Sequence, residues 1–201
     1  HADLDAYLSS VCQQYALDCD SVIIGWSLGG QIATLLAARA QCRLITLASN
    51  PRFCADENWI YGMDAALFAH FCAQQQEQPQ QNLQQFAALV GLHDAHPDSR
   101  HHIKRLKTHI PATDSTVQAT HLLHLHWLQT LDTRALLSTL AVPQLHVFGA
   151  NDALIPITMV SQLALSTSAH THVIAGASHL LPLIHSHSCV PYLHAWLTSQ
   201  L

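Results

Sequence analysis

The sequence predicts an α/β fold, a mostly parallel sheet flanked by helices with a long helical insertion above it. Three observations carry this prediction. Short β-branched runs alternate with amphipathic helical patterns along much of the chain. One such run, in VIIGWSLGGQIATLLAA (Val22 to Ala38), passes through a tight glycine cluster straight into a helical pattern. The stretch from Arg52 to Val142, between the second and third strand patterns, is far too long for an ordinary connection.

The elements follow in order. Asp5 to Ala16 reads as an amphipathic helix, with Tyr7, Leu8, Val11 and Tyr15 at helical spacing. SVIIGW (Ser21 to Trp26) is the apolar run of a buried parallel strand, and Ile32, Leu35 and Leu36 give the next helix its apolar face. RLITLASNP (Arg43 to Pro51), PQLHVFGAND (Pro143 to Asp152) and THVIAGASH (Thr171 to His179) supply three further strands; Val190 to Leu201 closes the chain as a helix. The expected organisation is a core over 1–51, a helical cap over 52–142 and the rest of the core over 143–201. Within the cap, QQQEQPQQNLQQF (Gln74 to Phe86) reads as a solvated helical hairpin or loop bent at Pro79. A cap over the sheet's carboxyl edge would lie where open α/β sheets bind ligands.

Composition narrows the class. The 201 residues are 49 % hydrophobic, enough to bury one sizeable core. Only 10 % are charged, and seventeen histidines with many glutamines take up part of the polar surface. A formal charge of −5 gives no reason to expect nucleic-acid binding. The six cysteines are scattered without a C-x-x-C pair, which favours reduced thiols and a cytoplasmic setting over a disulfide framework. No run is long enough to span a membrane. The chain starts at His1 with no targeting segment, as expected of an incomplete chain.

The chemistry begins at Ser27. Gly25 and Gly29 flank it in G-x-S-x-G, the nucleophile elbow of α/β-hydrolases, between an apolar strand and a helix. A serine hydroxyl needs a base to take its proton, and the base needs an anion to orient it. In that superfamily the chain order is Ser, acid, His. Asp152 follows the third strand in FGANDALIP and His179 the fourth in AGASHLLP, both where such residues should stand. Asp152 could instead be a turn former. His185 and His187 are the nearest rivals to His179, but they fall in or near the following helix and are expected at the surface. In HLLHLHW, His121 and His124 share a helix face while His126 points elsewhere. No acidic or cysteine partner stands at supporting spacing, so no metal site and no cofactor are expected.

GWSLGGQIA, LASNPRFCADENW, LDTRALL, VPQLHVFGANDALIP and AGASHLLPLIHSH resemble the pimeloyl-acyl carrier protein methyl ester esterases of biotin synthesis. The resemblance runs over nearly the whole chain. It implies a triad of Ser27, Asp152 and His179, an oxyanion donor at the Leu28 backbone N–H, and Trp26 and Phe86 beside the substrate. The implied reaction removes a methyl group from a carrier-linked pimeloyl chain and releases methanol. Family members open with further strands and a His-Gly-type loop that supplies the second oxyanion donor; this sequence has no counterpart to them. Two other readings stay open: a general short-chain carboxylesterase or other small-molecule α/β-hydrolase, or an inactive truncated fragment or non-catalytic module that binds an acyl chain or carrier.

Half of the eight basic residues crowd into one window of the cap as Arg100, Lys104, Arg105 and Lys107. On a helix, Arg100, Lys104 and Lys107 share a face, a basic stripe on an acidic protein that suits an acidic partner. The resemblance makes that partner an acyl carrier protein, with Arg100 and Lys104 matching two carrier-contacting positions. Two others fall on Gln81 and Gln85. A monomer is expected.

Overall fold

The computed structural model describes residues 2–200. Its sheet holds β1 (Val22–Trp26), β2 (Arg43–Leu47), β3 (Gln144–Gly149) and β4 (Ala169–Ile174), in that spatial order and all parallel. Helices α1 (Ala2–Gln14) and α2 (Leu28–Ala40) flank β1 in the chain. Between β2 and β3 lie α3 (Ala65–Glu77), α4 (Pro79–Leu89), α5 (Ser99–Thr108) and α6 (Ser115–Thr130), the helical cap, followed by α7 (Arg134–Thr139). After β4 come the single turn α8 (Leu181–Ile184) and the closing helix α9 (Ser186–Thr198).

The sheet is built by alternation. Ile45, Leu47, Leu145 and Val147 point to one face and pack with Ile174 and with Cys189 and Trp196 of α9. Leu44 points to the other face, against Ala33 and Ala37 of α2 and Leu137 of α7. A further cluster, including Phe53, Phe68, Val90, Phe148 and Leu180, joins the cap to the sheet's carboxyl edge. Leu4, Leu8, Leu36 and Trp127 tie α1 and α2 to α6. The outer strand β1 differs from β3, which is buried throughout: Ile24 is 52 % exposed and Trp26 40 %.

β3 also buries a polar pair. His146 is 2 % exposed, and burial pushes its pKa down to about 4. Its ring is therefore neutral. The Gln144 amide donates to the Leu140 carbonyl and to Ser166, which leaves Gln144 Oε1 to accept from His146 Nε2 at 3.2 Å. His146 Nδ1 then accepts from the Thr46 hydroxyl at 2.8 Å, linking β2 to β3.

Two expectations change in detail. The second strand stops at Leu47 rather than Pro51, and the third and fourth stop at Gly149 and Ile174 rather than running on to Asp152 and His179. The chain turns there because the Asn151 N–H donates to the Ala177 carbonyl at 2.9 Å, pulling the two loops together. The glutamine-rich segment is a helical hairpin, with Asp64 capping α3 and Pro79 opening α4 where its missing N–H costs nothing. It is not wholly solvated. Gln75 and Asn82 are buried against each other, because both fall on the inward faces of their helices.

Candidate active site

Ser27 stands at the junction of β1 and α2 with φ 55°, a left-handed conformation that a side chain rarely adopts. Its N–H donates to the Leu47 carbonyl at 3.0 Å, which anchors the turn to the neighbouring strand. The tightness has a steric cause. A Cβ on Gly25 would come within 2.1 Å of the Gly29 carbonyl, and one on Gly30 within 2.4 Å of Ser49 Oγ. A Cβ on Gly29 would meet nothing within 4 Å, so Gly25 and Gly30 are the glycines this elbow requires. Leu28 is the first residue of α2, and its N–H has no acceptor a turn back in the helix.

The loop after β4 brings His179 Nε2 to 2.9 Å from Ser27 Oγ. The loop after β3 brings Asp152 Oδ2 to 2.8 Å from His179 Nδ1. Both of these side chains are 1 % exposed. The other Asp152 oxygen accepts from the Leu154 and Ile155 N–H groups at 2.8 and 2.9 Å, so the carboxylate is held on both sides. An ionised carboxylate only accepts, which fixes the proton on Nδ1 and leaves Nε2 bare toward the serine hydroxyl. The arrangement can remove a proton from Ser27.

Trp26 and Phe86 both line an apolar cavity of about 310 Å³ that Ser27, Leu28 and His179 bound from below. Trp26 does more than fill space: its Nε1–H donates to the His179 carbonyl at 2.8 Å, and its ring centre lies 5.5 Å from the imidazole. Phe86 packs on Phe71 at 5.5 Å. His121 and His124 face the same cavity from α6, and burial with the neighbouring His121 lowers the His124 pKa. His126 is exposed. Arg100 and Lys104 lie exposed on α5 and do not line this cavity, while Ile103 and Leu106 turn inward from the same helix. Among the described residues no group of three or more His, Cys, Asp or Glu could hold a metal ion.

One residue of the site went unseen in the sequence. Asp94, from the loop between α4 and α5, has a fully buried carboxylate that accepts from the Ser178 N–H at 2.9 Å and the Ser178 hydroxyl at 2.6 Å. Ser178 immediately precedes His179. Burial opposes ionisation of Asp94, but hydrogen bonds from Ser178, His96 and His185 outweigh it and hold its pKa below the ordinary carboxylate value. His185, expected at the surface, instead turns inward and places Nε2 3.0 Å from Asp94 Oδ1; the buried carboxylate draws it in. His187 is exposed. Three more bonds fasten the same loop: Leu180 N–H to the Val90 carbonyl, Ala95 N–H to the Gly176 carbonyl, and the Asn151 side chain to the His93 carbonyl.

Comparison with known proteins agrees with this geometry. Residues 1–190 match the model of the alpha/beta hydrolase family. The chain is 32 % identical to a pimeloyl-[acyl-carrier protein] methyl ester esterase of Aliivibrio salmonicida, over 99 % of this chain and 76 % of that protein. It is 36 % identical to the biotin biosynthesis bifunctional protein BioHC of Cellvibrio japonicus, over 88 % of this chain. It spans only 34 % of that longer relative. An esterase from Exiguobacterium antarcticum shares the fold with a TM-score of 0.77 at 18 % identity, over 95 % of this chain and 71 % of that one. The elbow, the parallel sheet and the family match lead to one conclusion: the chain belongs to the alpha/beta hydrolase family.

Proposed function

We propose that the chain is a serine carboxylester hydrolase that demethylates a pimeloyl chain carried on an acyl carrier protein, the reaction named for its relatives. The observation that carries the reading is the unbroken hydrogen-bond path from Asp152 through His179 to Ser27 at the floor of an apolar cavity. His179 Nε2 takes the Ser27 proton as Oγ attacks the ester carbonyl. The Leu28 N–H donates to the resulting oxyanion. Collapse breaks the bond to the methoxy oxygen, and His179 hands its proton to that oxygen to release methanol. Water that loses its proton to His179 then attacks the acyl carbonyl; the bond to Ser27 Oγ breaks, His179 returns the proton to Oγ, and the carboxylate is freed. Asp152 stays ionised throughout and keeps the imidazole in its tautomer.

The apolar walls, Phe86 and Trp26 among them, suit a methylene chain rather than a sugar or peptide. The exposed Arg100 and Lys104 on α5 supply charge for an acidic carrier. All six cysteines are free thiols, in keeping with a reducing cytoplasm, and no helix among the described residues is long and apolar enough to cross a membrane. We expect a monomer.

The test is methanol release from a carrier-linked pimeloyl methyl ester and from a small free methyl ester. Ser27→Ala should abolish both and prevent labelling by a serine-directed phosphonate while leaving the melting temperature nearly unchanged; substantial residual turnover would mean that Ser27 is not the nucleophile. Reversing Arg100 and Lys104 to Glu should raise KM for the carrier-linked ester alone, less so at high salt. Equal behaviour on both esters would remove the carrier from the reading.

A further inference from the structure

The cavity above Ser27 is lined almost entirely by carbon, yet two of its side chains carry buried polar atoms with no hydrogen-bond partner among the described residues. They are Gln75 Nε2 on α3 and His121 Nδ1 on α6. Gln75 is 1 % exposed. Its orientation is set by a neighbour. Asn82 Nδ2 donates to the Phe71 carbonyl at 3.3 Å, which fixes the Asn82 amide, and the same nitrogen donates to Gln75 Oε1 at 2.9 Å. With Oε1 so engaged, Gln75 Nε2 is left with two N–H groups and nothing among the described residues to receive them. A buried amide in that condition is costly, and such a group calls for an acceptor that arrives from outside. The site is a donor on the cap side of the cavity, across from the nucleophile on the sheet side.

We propose that Gln75 is a specificity-determining residue: its Nε2 donates a hydrogen bond to a second carbonyl oxygen on the acyl chain, remote from the scissile ester. The preferred substrate is then a methyl ester whose chain bears another carbonyl, such as a thioester, rather than a plain saturated fatty ester. This rests on the hydrolase reading and deepens it. His121 Nδ1 faces the same cavity as a further polar point. A pocket built to hydrogen-bond one substrate group discriminates against the analogue that lacks it, because the site's own group is then left unpaired.

The experiment compares two small esters of equal length by methanol release, one saturated and one with a distal thioester carbonyl. The intact chain should favour the carbonyl-bearing ester in kcat/KM by about five- to tenfold. In Gln75→Leu that preference should collapse toward unity, the carbonyl-bearing ester losing more in kcat/KM than the saturated one. Gln75→Met, which keeps the side-chain length and carries no donor, should lose the preference too and guards against a packing defect in the leucine variant. A preference that survives both substitutions, or equal losses on both esters, would overturn the assignment and leave Gln75 a packing residue. Equal hydrolysis of the two esters by the unsubstituted chain would overturn it while the hydrolase reading stands. Hydrolysis of neither would overturn both.

Discussion

The two walls of the cavity are finished to different degrees. On the sheet side, Asp152 accepts on both oxygens and His179 is bonded at both nitrogens, each from a loop fixed at the end of a strand. On the cap side, Phe68, Phe71 and Phe86 present apolar surface, and Gln75 and His121 keep polar atoms that no group among the described residues meets. The Asp152–His179–Ser27 path is bonded throughout without a ligand, whereas the wall that would read the ligand keeps unmet polar atoms. Preorganisation belongs where charge moves, and an unmet donor belongs where identity is checked.

Breaking the finished wall should have the largest effect. Asp152→Asn should lower kcat by about ten-thousandfold, since the amide stabilises the wrong imidazole tautomer, while KM for a small ester changes little. A near-normal rate would demote Asp152 to a turn residue. Asp94→Asn tests the same wall from one step further away. The Ser178 contacts weaken without removing any group that would touch substrate. We expect kcat to fall about tenfold and KM to hold, the pattern of a displaced base rather than a damaged pocket. Parallel losses in kcat, KM and melting temperature would instead make Asp94 a structural residue.

The smallest effect concerns stability. His146, beneath the finished wall, is neutral when folded, with a pKa near 4 against an ordinary value of 6.5. Between those values the unfolded chain binds a proton that the folded chain does not, so stability rises with pH and is lost as pH falls from 6.5 toward 4. The full span is worth about 3 kcal/mol by the linkage relation. Denaturant melts at pH 7 and pH 5 should show the slope, and His146→Gln should flatten it. An unchanged slope in the variant would assign the acid sensitivity to other histidines.

The strand ends of the sheet-side wall were legible in the sequence; on the cap wall Phe86 came from resemblance and Gln75 was missed. Ser27, Asp152 and His179 each follow an apolar run within a few residues, so local order alone reveals the strand ends that carry them. Asp94 sits in HDAHPD, which reads as any polar turn; its meaning comes from Ser178, a contact made across 84 positions of chain. His185 looked like surface for the same reason. For Gln75 a signal did exist. Phe68, Phe71, Cys72 and Gln75 fall at i, i+3, i+4 and i+7 on α3, so the glutamine continues the inward stripe of its helix, but the surrounding glutamines disguised it.

The bonds from Val90, His93, Asp94 and Ala95 to the loops around Asn151 and His179 also bear on traffic through the cavity. A cap hinged to swing away would drag this seam with it and pull the imidazole from the serine at each opening. The seam therefore ties the α4–α5 end of the cap to the loop that carries His179. Breathing at the other end, where α3 and α6 meet above the aromatic walls, would leave this seam untouched. A ligand admitted there would leave the His179 ring in register with Ser27.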